Sequence, residues 1–187
     1  MQIVEPIVDF EARILCLPPL EPVSIVVDRM LRLDAAPVGL EPINLYLACA
    51  DDQPESISST FDFLWLFSVM RMLRSPVHGT ALGILRGFEA LLLASGKRGK
   101  RFVLHNAMAS VGNVEICDLP LAGWVGLGEG HESSHHDQAN ALVPFQLGKI
   151  LGELNLSPTL WEAPRILTAG AAITAELADS IVPIPTS

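Results

Sequence analysis

Apolar positions along the first fifty residues follow two rhythms. Arg13-Ile-Leu-Cys-Leu17 is a short apolar run closed by Pro18 and Pro19, and it reads as a strand. From Pro22 onward, Val23, Val26, Val27, Met30 and Leu31 recur at helical spacing, while Asp28, Arg29 and Arg32 fall elsewhere around the cylinder. That spacing predicts an amphipathic helix closed by Pro37 and Gly39. Ile43 to Cys49 is apolar almost throughout, the pattern of a strand buried on both faces. Strand, helix and strand in this order predict a parallel βαβ unit.

The next stretch continues the alternation. Asp51-Asp-Gln-Pro-Glu55 is a turn, Ser56 can cap, and Ile57 to Arg74 is predicted as a helix that is apolar nearly all round. A helix without a wet face has to be enclosed, here by the sheet on one side and a neighbouring subunit on the other. Pro76 ends it. A strand is predicted from Val77 to Leu85, running through Gly83 and Gly87 into a short helix, Phe88 to Ser95. Gly96 is expected to stop that helix by adopting a left-handed cap. The basic run Lys97, Arg98, Lys100 and Arg101 follows, and Phe102-Val103-Leu104 starts another strand. A strand that turns through glycine into a helix aims the turn residue and the first helical N–H groups at a ligand; in hydrolases of this shape the turn residue is the nucleophile. Here that residue is Gly87.

Beyond Asn106 the pattern predicts short strands at about 108–116 and 122–127. A polar loop spans 128–137, and a helix covers 138–154, bent or restarted at Pro144. Thr168 is placed to cap a helix from Ala169 to Ala178, and a closing strand lies near 179–183. There are no internal repeats. Residues 1–12 read as an N-terminal arm, and 13–187 as one domain with a handle at about 108–154.

Composition narrows the class. At 187 residues one domain buries about 70% of its unfolded surface. Half the residues are apolar and the mean hydropathy is +0.40, which points to subunit contacts, since obligate interfaces resemble a core cut in half. Apolar runs stay short of the roughly 18 residues of a membrane span, and the N-terminus lacks a secretory pattern, so no membrane partner is expected. A net charge of −9 argues against a nucleic-acid partner, which needs a basic footprint. Cys16, Cys49 and Cys117 read as buried thiols in a reducing compartment.

The stretch 77–106 carries a resemblance. Gly83, the helix end Leu92-Leu93-Ala94-Ser95-Gly96, and Gly99-Lys100-Arg101-Phe102-Val103-Leu104-His105-Asn106 are similar to a segment of the proteolytic subunit of the ATP-dependent Clp protease. There the sequence runs roughly Gly-Gln-Ala-Ala-Ser-Met-Gly, then Leu-Leu-Ala-Ala-Gly, then Gly-Lys-Arg-Phe-Ala-Leu-Pro-Asn. The resemblance covers about Arg13 to Pro183. It implies the α/β spiral of βαβ units of the Clp protease and crotonase superfamily, with a protruding strand-and-helix handle. It also implies a serine endopeptidase family, an oligomeric ring, a cytoplasmic or plastid-stromal location, and no cofactor.

A serine peptidase needs a nucleophile, a base within reach of it, an orienting carboxylate and oxyanion donors. The resemblance puts the serine on Gly87, the base on Gly112 and the carboxylate on Pro164. It puts the oxyanion loop, Pro-Gly-Gly in the family, on Gln53-Pro54-Glu55. Alignment slips do not restore these parts. No Ser, Thr or Cys lies between Ala81 and Ala94, no His between Asn106 and Gly130, and no Asp between Asn155 and Leu177. No glycine occurs between Gly39 and Gly79. The expectation is a non-catalytic subunit, similar to the inactive members of the family, forming a homo-oligomer or a hetero-oligomer with an active paralogue and an AAA+ ATPase partner.

Other chemistry is open beside this. Glu89, in the first turn of the 88–95 helix, would be the acid–base group of a crotonase-like acyl or CoA enzyme; the simpler reading has it complement the helix N-terminus or pair with Arg86. His131, His135, His136, Glu132 and Asp137 have metal-ligand chemistry but sit in a Gly/Ser-rich loop, and no metal site is expected. His105 reads as structural. The cations from Lys97 to Arg101 have the chemistry to bind phosphate, but read more simply as partners of the preceding helix C-terminus, and Ser58, Ser59 and Ser110 as ordinary serines of turns or helices. A peptidase with a relocated nucleophile is the remaining alternative.

Overall fold

The computed structural model describes residues 8–17, 22–36, 40–47, 57, 60–112 and 147–182. In chain order these form β1 (Val8–Asp9), β2 (Ile14–Leu17), α1 (Val23–Ala35), β3 (Ile43–Leu47), α2 (Thr60–Met72), β4 (Val77–Ala81), β5 (Ile84–Arg86), α3 (Gly87–Ala94), β6 (Arg101–Leu104) and β7 (Met108–Val111). Then come the helical residues 147–154 (α4), a single 3-10 turn at Pro158–Leu160, β8 (Arg165–Thr168), α5 (Ala169–Thr174) and β9 (Ser180–Val182).

Two sheets organise the chain. The larger has the order β1-β2-β3-β4-β6-β9 and the smaller β5-β7-β8. Pairing in the larger sheet is parallel except at the β1–β2 edge; in the smaller, β5–β7 is parallel and β7–β8 antiparallel. Val8 and Asp9, within the stretch read as an arm, thus pair with β2 as part of the sheet. The apolar run 77–85 is two strands, not one. It breaks at Leu82-Gly83 and hands the chain from the first sheet to the second.

On β2, β3, β4 and β6 buried and half-buried residues alternate strictly. Leu15, Leu45, Ala81 and Val103 point into the core, while Cys16, Asn44, Tyr46, His78, Thr80 and Phe102 line the other, half-exposed face. The expectation that β3 is buried on both faces is therefore corrected. Asn44 and Tyr46 sit on its outer side, where a polar or amphipathic side chain keeps some contact with water.

α3 lies between the sheets, packed on β4 on one side and on β5 and β7 on the other. All eight of its residues are buried, and its approach to β4 is close: a β-carbon on Gly79 would stand 2.9 Å from Leu93 Cδ1. α2 buries Phe63, Leu66, Phe67, Val69 and Met70 but leaves Phe61, Trp65 and Met72 exposed, Met72 by 78%. Among the described residues α2 is thus buried on one face and exposed on the other, whereas α3 is buried all round. Gly96 does not take the left-handed conformation expected of it, which falls instead on Gly99 (φ 78°). Gly96 sits in a tight fit: a β-carbon there would lie 3.2 Å from Leu93 O and 3.4 Å from Gly79 N and Arg101 Cγ.

Two buried arginines tie the elements together. Arg13 (φ 52°) donates from Nη1 to Leu33 O at 2.6 Å and from Nη2 to Ser75 Oγ at 2.9 Å, joining β2 to the end of α1 and the α2–β4 turn. The Ser75 N–H donates in turn to Asp34 Oδ1 at 2.8 Å. Burial pushes the Asp34 carboxyl up, yet hydrogen bonds from Ser75 and Arg74 outweigh it and hold that carboxyl below its ordinary range. Arg101 forks onto Asp179, Nη2 to Oδ1 at 2.6 Å and Nε to Oδ2 at 2.9 Å. Its Nη1 donates to Glu176 O and Ala94 O. This hydrogen-bonded guanidinium, against the opposing effect of burial, holds Asp179 below the usual carboxylate range. Among the described residues no helix is long and apolar enough to cross a membrane.

Candidate functional site

The candidate site is one end of the three-stranded sheet. β5 ends at Arg86, and the chain turns into α3 at Gly87 with φ 39°. Strand-to-helix turns of this kind put one residue at positive φ, where glycine carries no steric penalty. In register, Arg86 faces Ser110 and Val111 faces Arg165. Gly87 follows the last residue of β5, Gly112 follows the last of β7, and Pro164 precedes the first of β8. The three positions to which the resemblance assigns nucleophile, base and carboxylate therefore share one end of one sheet.

Among the described residues, the three positions themselves present only backbone and a proline ring. Gly112 has φ 86° and lies so close to the 163–164 peptide that a β-carbon would overlap the carbonyl oxygen of Ala163, 2.5 Å from its carbon and 3.0 Å from Pro164 N. A side chain at 112 is excluded twice, by the left-handed backbone and by the segment occupying its volume. Two glycines and a proline offer no side-chain proton donor, acceptor or nucleophile.

Polar side chains beside these positions are Arg86 and Arg165, which adjoin Gly87 and Pro164, Ser110, on β7 rather than in a turn or helix, and Glu89 in the first turn of α3. The Glu89 carboxylate is 2% exposed, and its Oε2 accepts a hydrogen bond from the Arg86 N–H at 3.1 Å. It thereby satisfies one of the donors that every helix start leaves over. The two described histidines lie off this sheet: His78 is on β4, and His105 is in the turn after β6. Burial lowers the pKa of His78, helped by the charges of Lys100 and Lys97. Among the described residues no group of His, Cys, Asp or Glu is placed to hold a metal ion. Pro54, Glu55, Ser58, Ser59 and the His131, Glu132, His135, His136 and Asp137 loop lie outside the described residues.

The basic run resolves into separate roles. Arg101 is buried in the Asp179 fork, and Arg98 pairs with Glu176 at 2.9 Å. Lys97 and Lys100 are exposed. Helix-end chemistry was readable from sequence for Arg101, which does reach Ala94 O. Its carboxylate partner was not, because Asp179 is 78 residues away.

No family model matches the chain. Among solved structures it is similar to the crystal structure of a peptidase from Plasmodium falciparum, with a TM-score of 0.74 over 92% of this chain and 97% of that one, at 19% sequence identity. The chain thus shares the α/β fold of a peptidase.

Proposed function

We propose that this chain is a non-catalytic subunit of a Clp-type proteolytic chamber, contributing architecture or regulation instead of peptide-bond cleavage. The carrying observation is the convergence of Gly87, Gly112 and Pro164 at one end of the β5-β7-β8 sheet, with the 163–164 backbone filling the space of a side chain at 112. Catalysis by a triad depends on side chains acting as a unit, and removal of its members leaves at most residual catalysis by oxyanion donors. The peptidase fold supports an origin in such an enzyme.

Assembly is the second half of the reading. Phe61, Trp65 and Met72 expose an apolar stripe on α2, and the outer face of the parallel sheet carries Tyr46 and Phe102 half-covered. Apolar surface of this kind on a protomer is what subunit contacts bury. In a ring the chain would occupy places alone or beside active paralogues, and would alter the number of cutting sites or the docking of an AAA+ ATPase. It requires no cofactor. A crotonase-like acyl chemistry through Glu89 has less support, since that carboxylate is buried and engaged with the start of its own helix. Light scattering of the purified protein, alone and co-expressed with an active Clp-type subunit, tests the proposal. A ring-sized particle is expected; a monomer that joins no such partner overturns it.

A further inference from the structure

Where the C-terminal ends of α2 and α3 meet the start of β4, the surface opens into a cleft of about 680 Å³. Five of the chain's 12 lysines and arginines line it (Arg71, Arg74, Lys97, Arg98 and Arg101), against one carboxylate, Glu153. Counting the carboxylates paired with Arg74, Arg98 and Arg101, the cleft keeps a small positive excess on a chain with a net charge of −9. Arg101 is committed to Asp179 and takes no part. Arg74 and Arg98 pair with Asp34 and Glu176, but their side chains are 66% and 64% exposed. Exposed pairs of this kind contribute little and exchange readily. Arg71 and Lys97 also reach solvent. Between these cations lie Leu40, Met70, Pro76 and Leu154.

The floor decides which anion fits. Two helix C-termini end there, and their carbonyls carry partial negative charge. Those of α3 are already bonded: Leu91, Leu92 and Leu93 accept from the N–H groups of Ser95 and Gly96, and Ala94 accepts from Arg101. A compact phosphate seated deep in the cleft would meet these dipoles with the wrong sign. An extended peptide presents its side chains alternately to two sides. It can lay apolar side chains on the floor and hold carboxylates against the cationic rim. We infer that this cleft docks an acidic segment of a partner protein, alternating carboxylate and apolar side chains. The inference goes beyond the chamber reading and does not depend on it.

The test is fluorescence anisotropy on the full-length protein with a labelled alternating Glu-Leu peptide. Alternating Glu-Ser and Lys-Leu peptides, and a single-stranded oligonucleotide of equal charge, serve as comparisons. The Glu-Leu peptide is expected to bind, and to weaken by roughly tenfold or more at high salt. It should lose at least as much in the Arg71→Glu/Lys97→Glu double variant, while Arg165→Glu, on β8, leaves binding unchanged. Both cleft residues are exposed, and a circular dichroism melt establishes that the variant folds; should it not, Arg71→Gln/Lys97→Gln, which removes charge without reversing it, is measured in its place. Absence of Glu-Leu binding, equal binding by the folded variant, or equal binding of the Glu-Ser peptide or the oligonucleotide overturns the inference.

Discussion

Gly112 and Ala163 meet backbone to backbone: a β-carbon on residue 112 would overlap the Ala163 carbonyl. The contact lies at the end of the three-stranded sheet, at the position to which the resemblance assigns a base. It also makes glycine at 112 a structural requirement, since the residue holds φ 86° in a space with no room for a side chain.

Gly112→Ala is therefore expected to destabilise the fold by about 2–4 kcal/mol, combining left-handed backbone strain with overpacking. Gly112→His should cost at least as much. Denaturant unfolding reads both, and an unchanged midpoint for Gly112→Ala would contradict the geometry. For the same reason the triple variant Gly87→Ser/Gly112→His/Pro164→Asp is predicted to gain no peptidase activity.

The Arg101–Asp179 fork is a stability element. Asp179→Ala leaves a guanidinium that is only 3% exposed without its anion, a loss expected at about 3–5 kcal/mol. Replacing both partners by apolar residues should recover much of it, because no lone buried charge remains. A double-mutant cycle measured by denaturant unfolding checks this; a double variant as unstable as the single one would count against the pairing.

Asp179 also sets an acid limit. Its folded-state pKa is held down, so its contribution to stability is fully present above the unfolded-state value of about 4 and fades as pH falls below it. Asp34 adds in the same direction. Stability profiles from neutral to strongly acidic pH should show this fall in the wild type, and a shallower one in Asp179→Asn.

The exposed stripe on α2 predicts an assembly phenotype. Phe61→Glu and Trp65→Glu place charge on positions that are 58% and 39% exposed in the protomer. Folding should change little, with ΔΔG within about 1 kcal/mol, as for surface substitutions. Any oligomer should dissociate in light scattering. Retention of full particle size by the double variant would exclude this face as a subunit contact.

Much of this architecture was legible in the order of residues. The apolar spacing after Pro22 marks α1, and the glycine-bounded run 87–96 marks the buried α3. The three positions to which the resemblance assigns the triad lie at one end of a single sheet in the strand register. Other features were hidden for physical reasons. The break at Leu82-Gly83 falls within Ala81-Leu-Gly-Ile-Leu85, which carries no polar residue to mark it, so the residue pattern joins two strands of different sheets. β8 is exposed except at the half-buried Leu167, so it carries no inward–outward alternation to read. Arg13 and Arg101 look like surface charges because their burial depends on partners far along the chain, Ser75 and Asp179. The sharp closure at Gly112 depends on the path of residues 163–164, which no local pattern encodes.

The central claim is that the peptidase scaffold is retained without its nucleophile. It is met most directly by incubating the purified protein with an active-site-directed fluorophosphonate and measuring its intact mass. The account predicts an unmodified mass; a stoichiometric adduct on any hydroxyl-bearing residue would contradict it.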